Sequence, residues 1–132
     1  MATANLNNDV EQIIGGNDNV VIVDNFQSIR GGRTLDVTGF TPAVINAGHL
    51  IIKETATGEL KPMPLIVGAT AYAALPAGHT YEGVLIASIV AKKPFAGILV
   101  RGTVNYKAAP FSMTSILAAV KTALPLIDFR AD

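Results

Sequence analysis

Two histidines, His49 and His79, are the side chains best suited to moving a proton near neutral pH. Each closes the same triplet, Ala47-Gly48-His49 and Ala77-Gly78-His79, and each triplet precedes an apolar run, Leu50-Ile51-Ile52 and Val84-Leu85-Ile86. General acid–base catalysis needs a second positioned group, and no carboxylate stands at a recognisable spacing from either ring. The two read as turn or core-edge histidines, with a pH-sensitive contact as the other reading. Ser88, Ser112 and Ser115 sit in no Gly-x-Ser-x-Gly context, so no nucleophile elbow is encoded. No glycine-rich loop runs into Lys-Ser/Thr, so a phosphate cradle is absent too. With no Cys there is no thiolate chemistry and no disulfide framework, and two histidines alone do not make a common zinc site. The chemistry points away from an enzyme and implies neither cofactor nor metal.

Lys61 lies in an expected hairpin, as does the modified lysine of biotinyl and lipoyl domains. Those domains place it at the tip; here the tip is Thr57-Gly58, and Pro62 follows Lys61. Lys92-Lys93 with Arg101 offers a small basic patch or, more simply, a solvated turn and a strand-end charge. The aromatic residues are scattered and do not alternate with basic ones as a nucleic-acid platform would. Ten basic and ten acidic residues cancel, so total charge favours neither nucleic acid nor an anionic membrane. The balance is uneven along the chain: residues 1–25 carry Asp9, Glu11, Asp18 and Asp24 and no Lys or Arg. Charged residues are 15% and apolar ones 50% of 132 residues, which suits one domain that hides surface against a partner. No apolar run is long enough for a membrane helix, and no basic segment followed by an apolar core marks a secretory signal.

Something must position these residues, and the patterning calls for short strands. The central stretch is Gly97–Asn105, read as a buried strand, a turn, and the approach to the last helix. Upstream, Asn8 and Glu11 resemble a capping box, with Leu6, Val10, Ile13 and Ile14 on one helical face and Gly15-Gly16 as the stop. Val20–Val23 is a β-branched run and reads as a strand. Arg30–Arg33 is a tight turn, and Thr34–Val37 alternates like a half-buried strand. Leu50–Thr55 and Glu59–Pro64 form the hairpin, with its second arm at an edge because Pro62 and Pro64 cannot donate ladder bonds. Leu65–Val67 and Val84–Val90 read as further strands, the latter antiparallel to Phe95–Val100 across Lys92-Lys93-Pro94. Ile116, Leu117, Val120, Ala123 and Leu124 recur at helical spacing, with Thr114 or Ser115 as cap and Pro125 as the stop. Leu126–Phe129 is a last extended piece. The expected fold is all-β: a small barrel or sandwich of short strands with a C-terminal helix and an extended N-terminal arm over residues 1–25, followed by a β-rich domain over 26–132.

Two segments carry a resemblance. Ala47–Lys61 (AGHLIIKETATGELK) and Ala96–Ala109 (AGILVRGTVNYKAA) resemble the phage head decoration proteins of the lambda type, with Gly58, Gly102, Val104, Asn105 and Ala108 at matching turn and core positions. Gly83-Val84-Leu85 is similar to another strand of that family. The resemblance spans about residues 44–124 and extends to the related head fibre proteins. It implies a homotrimer on the outer surface of a phage capsid, assembled in the host cytoplasm, with the major capsid protein as partner. The implied role is mechanical: the trimer bridges capsomers and stabilises the shell, with several modest contacts acting together. It also implies an N-terminal arm adding a strand to the capsid protein, here through Val20, Val21, Ile22 and Val23. For the trimer contact the candidates are Leu85, Ile98 and Val100, or the late helix through Ile116 and Val120. The alternative function is a small β-domain that serves as a binding or adhesion module on a virion or cell surface.

Overall fold

The computed structural model describes residues 17–131 and, before them, Ala2, Ala4 and Leu6. The helix expected around Asn8–Ile14 and its Gly15-Gly16 stop lie outside the described residues. In chain order the elements are α1 (Asp18–Val21), β1 (Ile22–Ser28), β2 (Arg33–Thr34), β3 (Val44–Ile45), β4 (Leu50–Glu54), β5 (Leu60–Pro62), β6 (His79–Leu85), β7 (Ile89–Val90), β8 (Phe95–Ala96), β9 (Ile98–Asn105), α2 (Leu117–Ala123) and β10 (Ile127–Arg130). The chain is mainly β, as the patterning predicts. Its principal sheet has the order β1-β9-β6-β4-β5, with β10 added to β9, and it does not close into a barrel. Two small ribbons, β2–β8 and β3–β7, accompany it in a sandwich-like arrangement.

β9 is the hub. One of its edges pairs antiparallel with β1, from Ile22↔Val104 to Ser28↔Leu99. The other edge is shared in succession: β6 takes its beginning (Leu85↔Ile98, Val84↔Leu99) and β10 its end, in parallel (Ile127↔Gly102 to Arg130↔Asn105). Both faces are covered at the centre of the sheet, where Leu50-Ile51-Ile52, Val84-Leu85 and Ile98-Leu99 read as continuous apolar runs, whereas β10 alternates and β1 is exposed along most of its length. Successive side chains point to opposite faces. Leu50, Ile52, Val84 and Leu99 join the larger core with Val104, Val120, Ile127 and Phe129. Their neighbours Ile51, Leu85 and Ile98 join a second core with Leu35, Ile45, Leu60 and Ala96.

Several expectations hold locally. The Leu50–Pro62 hairpin forms, turned by Gly58 at φ 76°, with β5 at the edge of the sheet. Others are corrected by contacts distant in sequence. No turn interrupts Gly97–Asn105: Ile98–Asn105 is one strand, and Gly102 is there because a Cβ would collide with the Asp24 carbonyl of β1. The Val20–Val23 strand is split. Val20 and Val21 belong to α1, whose Asp18 carboxylate accepts the Ser88 backbone N–H at 2.9 Å and its hydroxyl at 2.7 Å, and the strand starts only at Ile22. The same contact draws Ser88 out of the ladder, so Val84–Val90 is not one strand but the end of β6 and, after a break, β7.

Thr34–Val37 is extended only as far as Thr34. Leu35 donates its N–H to the Pro94 carbonyl and buries completely, and Asp36 folds back on Thr38. Leu65–Val67 keeps a single bridge, Leu65 to Tyr72, and then turns. Ile116, not Thr114 or Ser115, precedes α2, and no side chain caps it. Among the described residues no helix is long and apolar enough to cross a membrane.

Candidate functional site: a free sheet edge and a neighbouring groove

Positions that could do chemistry are, for the most part, spoken for. The His49 imidazole is wholly buried. Its Nε2 lies 2.9 Å from the Met63 carbonyl, and since a carbonyl only accepts, Nε2 carries the hydrogen. Nδ1 has no partner. Three rings stand near-perpendicular around it, Phe40, Tyr72 and Phe111, with centroids at 5.3, 5.1 and 5.6 Å. Burial is the main cause that pushes the His49 pKa down to about 4, against a smaller upward pull from the Met63 carbonyl. The ring is therefore neutral at physiological pH and has no solvent-exposed surface.

Tyr72 is equally enclosed. Its hydroxyl accepts the Leu50 N–H at 3.1 Å, and burial raises its pKa. His79 lies near the surface, with Nδ1 2.9 Å from the Ala77 carbonyl. Lys61 is on β5 rather than at the hairpin tip and pairs with Glu54 at 3.7 Å. The Glu54 carboxyl is held below its ordinary range by the Thr57 hydroxyl and then by Lys61. Among the described residues no three His, Asp or Glu side chains gather as a metal-ligating group.

What the fold does present is surface. β1 is the outermost strand on its side, and among the described residues nothing pairs with its outer edge. Its ladder with β9 shifts register three times, and irregularity of this kind discourages indiscriminate edge pairing. Val23 and Phe26 on β1 are exposed, Phe26 to 70%, and so are Val20 in α1 and Leu126 just before β10.

A groove of about 610 Å³ opens elsewhere, between the loop after β2 and the loop after β5. Phe40, Pro42, Pro64 and Ile66 give it apolar walls, and Lys61 and His79 stand at its border. Asp36 also lines it; the Thr38 hydroxyl holds that carboxyl below its usual range. Val67, at the tip of the turn beside the groove, is fully exposed. The turn carries Ala69 at φ 53°, a strained position for a residue with a Cβ.

The residues proposed from sequence divide sharply by burial. Of the arm set, Val21 is buried in the chain's own core and is not free to dock; Ile22 is half-buried and pairs with Val104 on the inner edge of β1 only, and Val20 and Val23 are exposed. Of the trimer set, Leu85, Ile98 and Val120 have no exposed surface in the protomer and leave nothing for a second copy to touch. Their apolar character is spent on the internal cores. Val100 and Ile116 are half-buried. Of the residues matching the decoration family, Gly58 turns the hairpin, Val104 is fully buried and Ala108 packs against the larger core. Asn105 ends β9 by accepting the Lys107 N–H at 3.1 Å.

Sequence reasoning missed the Asp18–Ser88 contact, the burial of Tyr72 inside an alanine-rich stretch, and the groove. No local signal announces the first, whose partners are seventy positions apart. Comparison with known proteins finds no matching family model, no matching curated protein and no matching solved structure.

Proposed function

We propose that this chain is a structural virion protein: a decoration or head-fibre protein that binds the outer surface of a phage capsid as a homotrimer and stabilises the shell by contact with the major capsid protein. The observation that carries this reading is the outer edge of β1, whose ladder groups no described residue pairs, with the exposed Val23 and Phe26. An extended segment of a capsid protein can add to such an edge by backbone hydrogen bonding, with apolar side chains setting register. The addition therefore runs along Ile22–Ser28 of the folded domain, rather than through a loose Val20–Val23 arm. The low charge of the chain, the two segments that resemble the decoration family, and the sequestering of both buried polar rings support a mechanical role.

Light scattering on the full chain, together with co-sedimentation on expanded and unexpanded phage shells, tests the reading. A mass three times the 13.8 kDa chain and pelleting with expanded shells only are expected. A monomer that pellets with neither shell overturns it. The groove beside Val67 favours a second reading, a small β-domain that binds or adheres at a virion or cell surface. Binding that survives Phe26→Lys but fails on Val67→Lys would decide for the groove.

A further inference from the structure

His49 draws together three loops that lie outside the strands of the principal sheet and keep only scattered backbone ties to it and to each other, such as Met63 N–H to the Leu50 carbonyl, Asp36 N–H to the Leu60 carbonyl and Tyr72 N–H to the Ser112 carbonyl. Phe40 comes from the loop between β2 and β3, Tyr72 from the loop between β5 and β6, and Phe111 from the loop between β9 and α2. Met63, whose carbonyl receives the Nε2 hydrogen, opens the β5–β6 loop. Three separate loops thus converge on one imidazole, and the ladder β1-β9-β6-β4-β5 runs through none of them. Phe40 and Phe111 are only half-buried, so the ring is one side chain away from water. A proton added at Nδ1 would create a buried cation whose new donor finds no acceptor among the described residues, an arrangement that strongly favours opening.

We propose that this cluster is an acid-released latch: protonation of His49 parts Phe40, Tyr72 and Phe111 and frees the loops that carry them, while the six-stranded sheet stays folded. The groups that face the imidazole from each packed element are the Phe40 and Phe111 rings, the Tyr72 phenol and the Met63 carbonyl. Only the phenol titrates, and it stays neutral throughout the acid range with its hydroxyl committed to the Leu50 N–H. Among the described residues no carboxylate acts on the ring, so none of them compensates the charge. Opening lets water solvate it instead. Phe40 also lines the groove and Tyr72 closes the turn that carries Val67, so release of the latch reshapes that groove.

The test is a pH titration of the full chain from 7 to 3.5, read by NMR of the His49, Phe40, Phe111 and Tyr72 rings and in parallel by far-UV circular dichroism. The open population is expected to rise about a hundredfold between pH 7 and pH 4. The ring resonances of the three loops should move with the His49 imidazole while the far-UV signal is unchanged. His49→Gln keeps a donor for the Met63 carbonyl but cannot titrate, and its rings should not respond over that range. Rings that stay packed to pH 3.5, ring and sheet signals lost together, or the same transition in His49→Gln would each overturn the latch. If the Gln variant does not fold, the order of the two signals in the natural chain decides alone.

Discussion

Ala47-Gly48-His49 and Ala77-Gly78-His79 are the same three residues, and both lead into strands of the same sheet with glycine at positive φ, 91° and 74°. Their environments are opposite. A Cβ on Gly48 would run into the Val21 side chain and lie 3.3 Å from Pro110, whereas one on Gly78 would meet nothing within 4 Å. His49 is enclosed by three rings, while the His79 ring hydrogen-bonds within its own turn. The first turn is a packing node and the second is a surface connection. Backbone geometry is set locally by the triplet; burial is set by the strand it enters and by side chains that arrive from far away.

The contrast can be broken most severely at the imidazoles. His49→Ala removes a fully buried ring and leaves the Met63 carbonyl unpaired, and should cost about 4 kcal/mol in urea unfolding, against about 0.5 kcal/mol or less for His79→Ala. Acid comes next. The folded pKa of His49 lies below its ordinary 6.5, at about 4, so the unfolded chain takes the proton first. Stability from this group is complete above pH 6.5 and is lost as pH falls toward 4. A ring that stayed closed would lose about 3 kcal/mol in total, read as a falling urea midpoint, and release of the latch makes the expected loss smaller than that. A shallower loss means that a locally opened form takes up the proton before the sheet yields.

Substitution at the glycines sharpens the comparison further. Gly48→Ala adds overpacking to backbone strain and should cost about 3 kcal/mol; Gly78→Ala carries the strain alone, about 1 kcal/mol. Smallest among the core changes is Tyr72→Phe. It leaves the Leu50 N–H without its acceptor and should cost about 1 kcal/mol in the same assay. Equal effects at the two members of either pair would mean that the turns are equivalent after all.

The same division separates what was legible in the sequence from what was not. The β4–β5 hairpin and its turn at Gly58, the edge position implied by Pro62, and the C-terminal helix all come from short-range rules, and they stand. The different fates of the two histidines had a faint trace. His49 is followed by Leu-Ile-Ile, apolar toward both faces, and His79 by Thr-Tyr-Glu, which alternates. Gly102 is a different case, because its reason is the Asp24 carbonyl on a strand that pairs across the sheet, and a lone glycine gives no hint of that. Val20-Val21 likewise favours a strand on its own, and Asp18 gripping Ser88 overrides it. Leu85, Ile98 and Val120, expected at a trimer contact, are buried within the chain itself for a related reason. Apolar residues at a regular spacing reveal that they will be covered, but not whether their own chain or another supplies the cover.

The double use of β9 has one more consequence. Val104 is flanked by Ile22 on one side and Phe129 on the other, so the described domain begins and finishes one strand apart from the same neighbour, roughly 10 Å from each other. Topologically, residues 18–130 almost form a ring. A short linker from Arg130 back to Asp18 would close it, and new termini cut at the exposed turn around Val67 would leave every rung of the principal sheet in place. Anything fused before Asp18 and anything fused after Arg130 would emerge side by side from one rim of the domain.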